Sequence, residues 1–143
     1  MNSASSAPER PTAVPHASFA VDFGLDIDRA LQLITVTVTG VLSPEDVGWI
    51  AEEVRAAILS LGPDAGRHRT LYDLRGVLVL PQETTDLALR SLRGGTPDIW
   101  ARRRAFVATT MLTKRQARRM AEARPGSSVF DDIGAARAWL LEE

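Results

Sequence analysis

Residues 69–77 constrain the fold of this chain more than any other stretch. Their sequence, RTLYDLRGV, is an apolar run that is interrupted by Asp73 and closed by Gly76. Its β-branched and aromatic content predicts a central strand, and the abrupt Asp-Leu-Arg-Gly ending predicts that Asp73 and Arg75 reach the carboxyl edge of a sheet. Ligands and partners of open α/β sheets usually bind at that edge. We therefore expect the functional surface to lie there.

Composition limits the classes of protein that the chain can belong to. Its 143 residues, 45% of them hydrophobic, suit one domain with a full-sized core. Seventeen basic and eighteen acidic residues give a net charge of -1, which argues against a chain built for nucleic acid or membrane surfaces. The absence of Cys excludes disulfides and thiolate chemistry. Because no stretch approaches the roughly 18 apolar residues of a membrane span and no signal peptide is visible, we expect a cytoplasmic protein.

The chain divides into a short polar segment and one domain. Residues 1–18 are rich in Ser, Ala and Pro, and we expect them to form a disordered tail. Residues 19–143 form the predicted domain. It opens with two alternating apolar segments on either side of a turn at residues 26–29, which predicts a β-hairpin. In the second segment, every other residue between 34 and 38 is apolar and the intervening residues are threonines, so only one face is fully apolar.

Helices and strands alternate after the hairpin. Ser43 has the form of an N-cap for a helix that ends at Gly62-Pro63. The strand at residues 69–75 follows, and further elements are expected as a helix at 81–93, a strand at 104–110, a short helix capped by Thr113, a strand at 127–130 and a last helix capped by Asp131 or Asp132. The order is β-β-α-β-α-β-α-β-α. It predicts an α/β fold with a single mixed five-stranded sheet, parallel except for the N-terminal hairpin strand.

Four phrases of the sequence resemble a known family. They are residues 31–40 followed by Ser-Pro-Glu-Asp, the run Tyr-Asp-Leu-Arg-Gly-Val, the strand Arg-Arg-Arg-Ala-Phe-Val, and the closing Val-Phe-Asp-Asp-Ile-Gly-Ala-Ala-Arg-Ala-Trp-Leu. Together they cover nearly everything after residue 18, and the closing phrase is the most specific. They resemble the STAS-like, Sec14-like group of small bacterial proteins. The resemblance implies the fold of anti-sigma-factor antagonists, with a mostly sequential strand order.

The resemblance also implies what this chain lacks. In the antagonists, a strand like 69–73 is followed by a serine-bearing turn at a helix start, where phosphorylation switches partner binding. Here the matching residues are Asp73-Leu74-Arg75-Gly76, and none carries a hydroxyl group. The phosphoserine switch is therefore not carried over to this chain. The related lipid-carrier domains are larger, with extra helices around an apolar cavity, and a domain of this length leaves little room for one.

Charged residues supply the candidate binding sites. Asp73 and Arg75 share one face of the strand, so they recognise a partner's charge or pair with each other or with nearby helix ends. A basic segment at residues 102–124 binds an anion, an acidic protein or nucleic acid, or it is a solvated helix face. Thr113 with its basic neighbours forms an anion pocket or only a cap. The candidate binding residues are Ser43, Asp73, Arg75, Gly76, Thr113, Lys114, Arg115, Arg118 and Arg119.

Enzymatic motifs are missing from the sequence. His16 and His68 are the only histidines, so we expect no metal site, no Ser-His pair and no cofactor. The favoured function is a non-enzymatic binding or regulatory module that docks a protein partner, or itself, at an edge formed by residues 40–43, 73–77 and 109–115. No nucleic-acid partner is expected. The alternative is a protein that binds a small molecule, an anion or a lipid, which an enclosed apolar cavity would favour, whereas an exposed apolar patch would favour docking.

Overall fold

The secondary structure follows the predicted order. The computed structural model describes residues 21–79, 81–93 and 100–142, so the predicted tail lies outside the described residues. The elements are β1 (Val21–Asp28), β2 (Leu33–Val41), α1 (Pro44–Leu59), a 3-10 helix (Gly62–Asp64), β3 (Arg69–Val79), α2 (Gln82–Arg93), β4 (Arg103–Val107), α3 (Met111–Glu122), β5 (Ser127–Phe130) and α4 (Ile133–Leu140). The domain boundary at residue 19 stays a prediction.

One five-stranded sheet organises the domain. Its strand order is β1-β2-β3-β4-β5, with β1 antiparallel to β2 and the remaining pairs parallel. The predicted α/β class, the mixed sheet and the hairpin are confirmed. The turn predicted at residues 26–29 is wrong, because residues 26–28 pair with β2 and the turn occupies residues 29–32. Crossovers between parallel strands are right-handed as a rule, and here the strands advance in one direction, so the three connecting helices belong on the same face.

The core has two parts, one on each face of the sheet. The larger part joins α1, α2 and α3 to the apolar residues of β2, where Ile34 and Val36 are fully buried. The smaller part lies under α4, where Leu140 packs with Leu33 and Leu71. Since α4 alone covers that second face in the described structure, the threonine side of β2 stays half-buried, as its alternation predicts.

Ser43 begins α1 as predicted. Its hydroxyl oxygen accepts a hydrogen bond from the backbone N–H of Asp46 at 3.2 Å, and the Asp46 carboxylate accepts one from the backbone N–H of Ser43 at 2.9 Å. This reciprocal pair is a capping box, which satisfies two backbone N–H groups that the helix leaves without intrahelical partners.

Strand β3 is longer than the sequence predicts. Thr37 pairs with Asp73, but Thr39 pairs with Gly76, so β3 carries an extra residue and continues to Val79. The predicted ending at residues 73–76 is wrong. The continuation depends on Gly76, because a Cβ atom there would lie 2.4 Å from Cγ2 of Thr39. Only glycine allows the two strands to stay this close.

Each of the last two helices has two candidate N-caps of the same residue type in the sequence, and the structure shows which one is used. The N-cap of α3 is Thr110, whose Oγ1 accepts a hydrogen bond from the Thr113 backbone N–H at 3.1 Å. The prediction that Thr113 caps this helix is wrong, because Thr113 lies in the first turn and is buried. Asp132, not Asp131, caps α4, and its Oδ2 accepts from the Ala135 N–H at 2.7 Å.

Candidate functional site

Asp73 and Arg75 form an ion pair at the sheet edge where β4 ends, since Asp73 pairs with Val107 while β3 itself continues to Val79. The Arg75 Nε donates to Asp73 Oδ1 at 2.9 Å, its Nη2 donates to Oδ2 at 2.8 Å, and its backbone N–H donates to Oδ1 at 3.1 Å. These hydrogen bonds hold the pKa of Asp73 below its usual range. Such two-pronged geometry is the strong form of an arginine–carboxylate contact. Both oxygens of the Asp73 carboxylate thus already accept hydrogen bonds from Arg75, while the Arg75 side chain is 44% exposed.

The ion pair lies on the α4 side of the sheet. The pKa of Arg75 is raised, first by its hydrogen bond to Asp73 and more weakly by the charge of Asp132 at the start of α4. Asp73 also alternates with Leu71, which packs in the core under α4. The pair is therefore separated by the sheet from α3, which packs on the opposite face.

Ser43 and Gly76 have structural roles at the same edge. The Ser43 hydroxyl is engaged in the capping box of α1, and it also donates to the Asp46 carboxylate at 2.9 Å. Gly76 provides the close contact between β2 and β3. Both residues therefore position the edge, which leaves other side chains to form a binding surface.

The basic residues of α3 fall into two groups. Lys114 reaches Asp131 at 3.4 Å and Arg119 reaches Asp86 at 3.4 Å, so two of the four are engaged in ion pairs. Arg115 and Arg118 are exposed and have no ion pair within the described residues. A helix rises about 1.5 Å per residue, which puts Arg118 about 10 Å along α3 from its start. Arg118 and Arg119 thus lie along the outer side of the helix, beyond the edge itself.

Large apolar side chains are exposed at the carboxyl edge. They are Val41 at 40%, Leu78 at 74%, Met111 at 81% and Leu112 at 53% exposure. Val41 is the last residue of β2 and Leu78 the last but one of β3, and the other two begin α3, which follows the end of β4. We call these four residues the edge patch. They form two pairs, one on the extension of β2 and β3 beyond β4 and one on the first turn of α3, and exposed apolar surface of this kind is typical of interaction sites.

Sequence reasoning missed the edge patch for a local reason. With Thr113 predicted as the N-cap, Met111 and Leu112 fall before the helix. Helical periodicity predicts nothing about the exposure of side chains there. Starting α3 at Thr110 puts them in the first turn, opposite the buried Thr113. Thr110 itself was the available signal, since it stands three residues before Thr113 and is an equally good N-cap type.

Two further findings concern metals and membranes. Within residues 21–79, 81–93 and 100–142, no three side chains of the metal-binding types come together as a group. No helix in the same part of the chain has the length and apolar character to cross a bilayer.

Comparison with solved structures identifies the fold. The domain has the STAS-like fold, also called SpoIIAA-like. An anti-sigma factor antagonist from Mycobacterium paratuberculosis superimposes with a TM-score of 0.62 at 12% identity, over 88% of this chain and 98% of that one. An uncharacterized protein of the DUF3478 family from Shewanella loihica, with a SpoIIAA-like fold, gives a TM-score of 0.59 at 20% identity, over 85% of this chain and 94% of that one.

These likenesses establish the predicted fold. No protein-family model matches the chain, and no curated protein sequence matches it. At 12% and 20% sequence identity, structural similarity shows a shared fold and does not show a shared function. Function must therefore be argued from the residues at the site.

Proposed function

We propose that this protein is a non-enzymatic regulatory module that docks a protein partner on the edge patch. The exposure of Val41, Leu78, Met111 and Leu112 at one edge of the sheet is the observation that carries the proposal. Burying one such side chain is worth about 1.5–3 kcal/mol, so a partner that covers several of them gains binding free energy. A partner with an apolar centre would cover them.

The charge beside the edge patch indicates the chemistry of that partner. Arg115 lies one turn beyond Met111 and Leu112 on α3, and Arg118 lies on the next turn. The exposed side of α3 therefore changes from apolar to cationic along its length. A complementary partner has an apolar centre with acidic residues to one side, which matches the usual arrangement of an interface core and a polar rim.

The architecture supports a regulatory role. One solved structure with this fold is described as an anti-sigma factor antagonist. In this chain, the stretch that resembles the antagonists' switch holds the Asp73–Arg75 ion pair. The hydroxyl groups in the first turn of α2 are buried and already hydrogen-bonded, since Thr84 donates to the Leu42 carbonyl and Thr85 to the Pro81 carbonyl, each at 3.3 Å. Docking in this protein is therefore proposed to occur without a phosphoserine switch at these positions.

The exposed edge patch supports docking over the small-molecule or lipid alternative. Self-association through the same surface is the competing form of docking, and sedimentation of the purified protein over a range of concentrations separates the two.

We propose a cytoplasmic location, where an antagonist-like module would meet its partners.

Paired substitutions test the surface. Met111→Ser with Leu112→Ser removes half of the edge patch at exposed positions, so the melting temperature should change little. Leu59→Ser is the matched control, because Leu59 is 51% exposed at the end of α1, which runs from the carboxyl edge to the other end of the sheet. Quantitative cross-linking and mass spectrometry should show a partner lost from the double variant and retained by the control. If the double variant retains every partner of the parent protein, the proposal is wrong.

Charge substitutions test the chemistry of the partner. Arg115→Gln with Arg118→Gln should slow association with the identified partner and flatten its dependence on salt, because both cations are exposed and unpaired among the described residues. Arg119→Gln is the control, since that charge is already engaged by Asp86. Association rates measured by surface plasmon resonance at several salt concentrations give the comparison. Equal salt slopes for the double variant and the parent would contradict an acidic partner.

A further inference from the structure

A second cluster of polar residues lies at the opposite, amino end of the sheet. His68 precedes β3, Arg104 is the second residue of β4, and Arg124 follows the end of α3. His68 is fully buried and Arg104 is 3% exposed. The backbone N–H of Arg102 donates to the His68 carbonyl at 3.0 Å, and Arg104 Nη1 donates to the carbonyl of Pro125, the residue after Arg124, so the three residues are neighbours. We call these residues the amino-edge cluster.

Arg104 is a buried cation with neutral partners. Its Nη1 donates to the Pro125 carbonyl at 3.0 Å and to the Ser127 hydroxyl at 2.8 Å, and its Nη2 donates to the Ala101 carbonyl. Its Nε is buried and has no hydrogen-bond partner. No carboxylate contacts the guanidinium among the described residues, although buried charges are normally paired.

His68 presents a second unpartnered donor. Its Nδ1 accepts a hydrogen bond from the backbone N–H of Gly66 at 3.1 Å, so the proton of the neutral ring is assigned to Nε2. Burial, and to a smaller degree the charge of Arg104, lowers the pKa of His68 to about 4, so the ring is neutral near pH 7. Its Nε2–H is buried without a hydrogen-bond partner.

Arg124 completes the amino-edge cluster. Its guanidinium carbon lies 4.5 Å from the centre of the Trp100 ring, which is the arrangement of a cation–π contact. Its Nε is also buried without a hydrogen-bond partner. The cluster therefore contains three unpartnered N–H donors and two positive charges, and each unpartnered buried donor destabilises the protein until an acceptor is bound.

We propose that the amino-edge cluster binds an oxyanion, specifically a phosphate group that lies between Arg104 and Arg124 and accepts from His68 Nε2–H. The unpartnered atoms of the cluster are all donors, which selects a ligand that only accepts. The two guanidinium charges select an anion, and arginine donors match the oxygens of phosphate. This site is independent of the edge patch, which lies at the other end of the strands. The phosphate is either the free ion or part of a phosphate ester.

Titration with inorganic phosphate at constant ionic strength tests the site. Side-chain nitrogen NMR of the parent protein should show saturable shifts of the Arg104 Nε–H, Arg124 Nε–H and His68 Nε2–H signals. Arg124→Gln should weaken binding at least about tenfold, the effect of losing one charge-assisted contact. Arg118→Gln is the control, since it removes an exposed arginine from the same helix region, and it should bind phosphate as the parent does. Observing Arg104 in the parent protein avoids a substitution at a buried residue.

A parallel titration with phenyl phosphate separates the two sources. Tighter binding of phenyl phosphate than of inorganic phosphate identifies an ester as the ligand, with its organic group beside Trp100. Equal or weaker binding identifies the free ion. Both results support the site. Absence of saturable binding of either probe, or equal affinity in Arg124→Gln and the parent, overturns it.

Discussion

Gly76 shows how a single residue sets the geometry of the docking edge. A Cβ atom at this position would lie 2.4 Å from Cγ2 and 2.9 Å from Cβ of Thr39, a β-branched side chain on the paired strand. Gly76→Ala should therefore destabilise the protein by about 1–3 kcal/mol, as overpacking does. Gly48→Ala is the control, because a Cβ there meets nothing within 4 Å and alanine favours the helix by about 0.5–1 kcal/mol. Urea midpoints should move in opposite directions for the two variants.

His68 makes stability depend on pH. The unfolded chain binds a proton at this residue near the ordinary pKa of 6.5, whereas the folded protein does so only near 4. The stability contributed by neutral His68 is therefore fully present above pH 6.5 and is lost as the pH falls toward 4. The loss amounts to roughly 3 kcal/mol over that window.

Variants at both histidines isolate this effect. In phosphate-free buffers, the difference in unfolding free energy between the parent and His68→Gln should shrink steadily from pH 6.5 to pH 4. His16→Gln, in the predicted tail, should leave the pH profile of the parent unchanged. A constant difference between the parent and His68→Gln would mean that the burial of His68 does not control its protonation.

Among the described elements, α4 is the helix that covers one face of the sheet and buries the smaller part of the core. Leu140 is fully buried, while Trp139 is half-buried, with its ring 5.5 Å from that of Phe130 and 5.1 Å from the Arg103 guanidinium carbon. Leu140→Ala should cost about 2–5 kcal/mol, and Trp139→Ala should cost less than the roughly 3–5 kcal/mol of a fully buried tryptophan. Denaturant unfolding should rank the two variants in that order. The reverse order would place Trp139 at the centre of the core under α4.

The start of α3 shows why local sequence patterns cannot always locate the first residue of a helix. Thr110 and Thr113 are both suitable N-caps, and the sequence offers no local reason to prefer the first. The burial of Thr113 against the sheet decides the choice. That choice in turn sets which apolar residues enter the first turn and face water, and so it determines half of the edge patch.

At the scale of the whole molecule, all described elements lie within residues 21–142. Removing residues 1–17 should leave the melting temperature unchanged. Removing residues 1–25 is the control, since it deletes Phe23, whose ring meets Trp49 edge-on at a centroid distance of 5.1 Å. Differential scanning fluorimetry should show a lower melting temperature for the longer deletion alone. A drop of several degrees for the shorter one would mean that the tail contributes to the fold.

The sequence by itself determined the order of the elements and the class of the fold. Strand alternation and helical periodicity are local properties, and so are the capping box at Ser43 and the glycine-proline helix stop. Together they were sufficient to predict a mixed sheet with one hairpin. The Asp73–Arg75 pair was also predictable as one alternative, because residues two apart on a strand share a face.

Only the tertiary structure decided where the binding surfaces lie. The extension of β3 depends on the contact between Gly76 and Thr39, which are distant in sequence. The burial of Arg104 beside His68 depends on how separate strands and loops meet at the amino end of the sheet. Exposure and unpartnered donors are properties of the whole packing arrangement, since each is set by which distant residues cover a side chain. Periodicity gives the face of an element but not what lies against it.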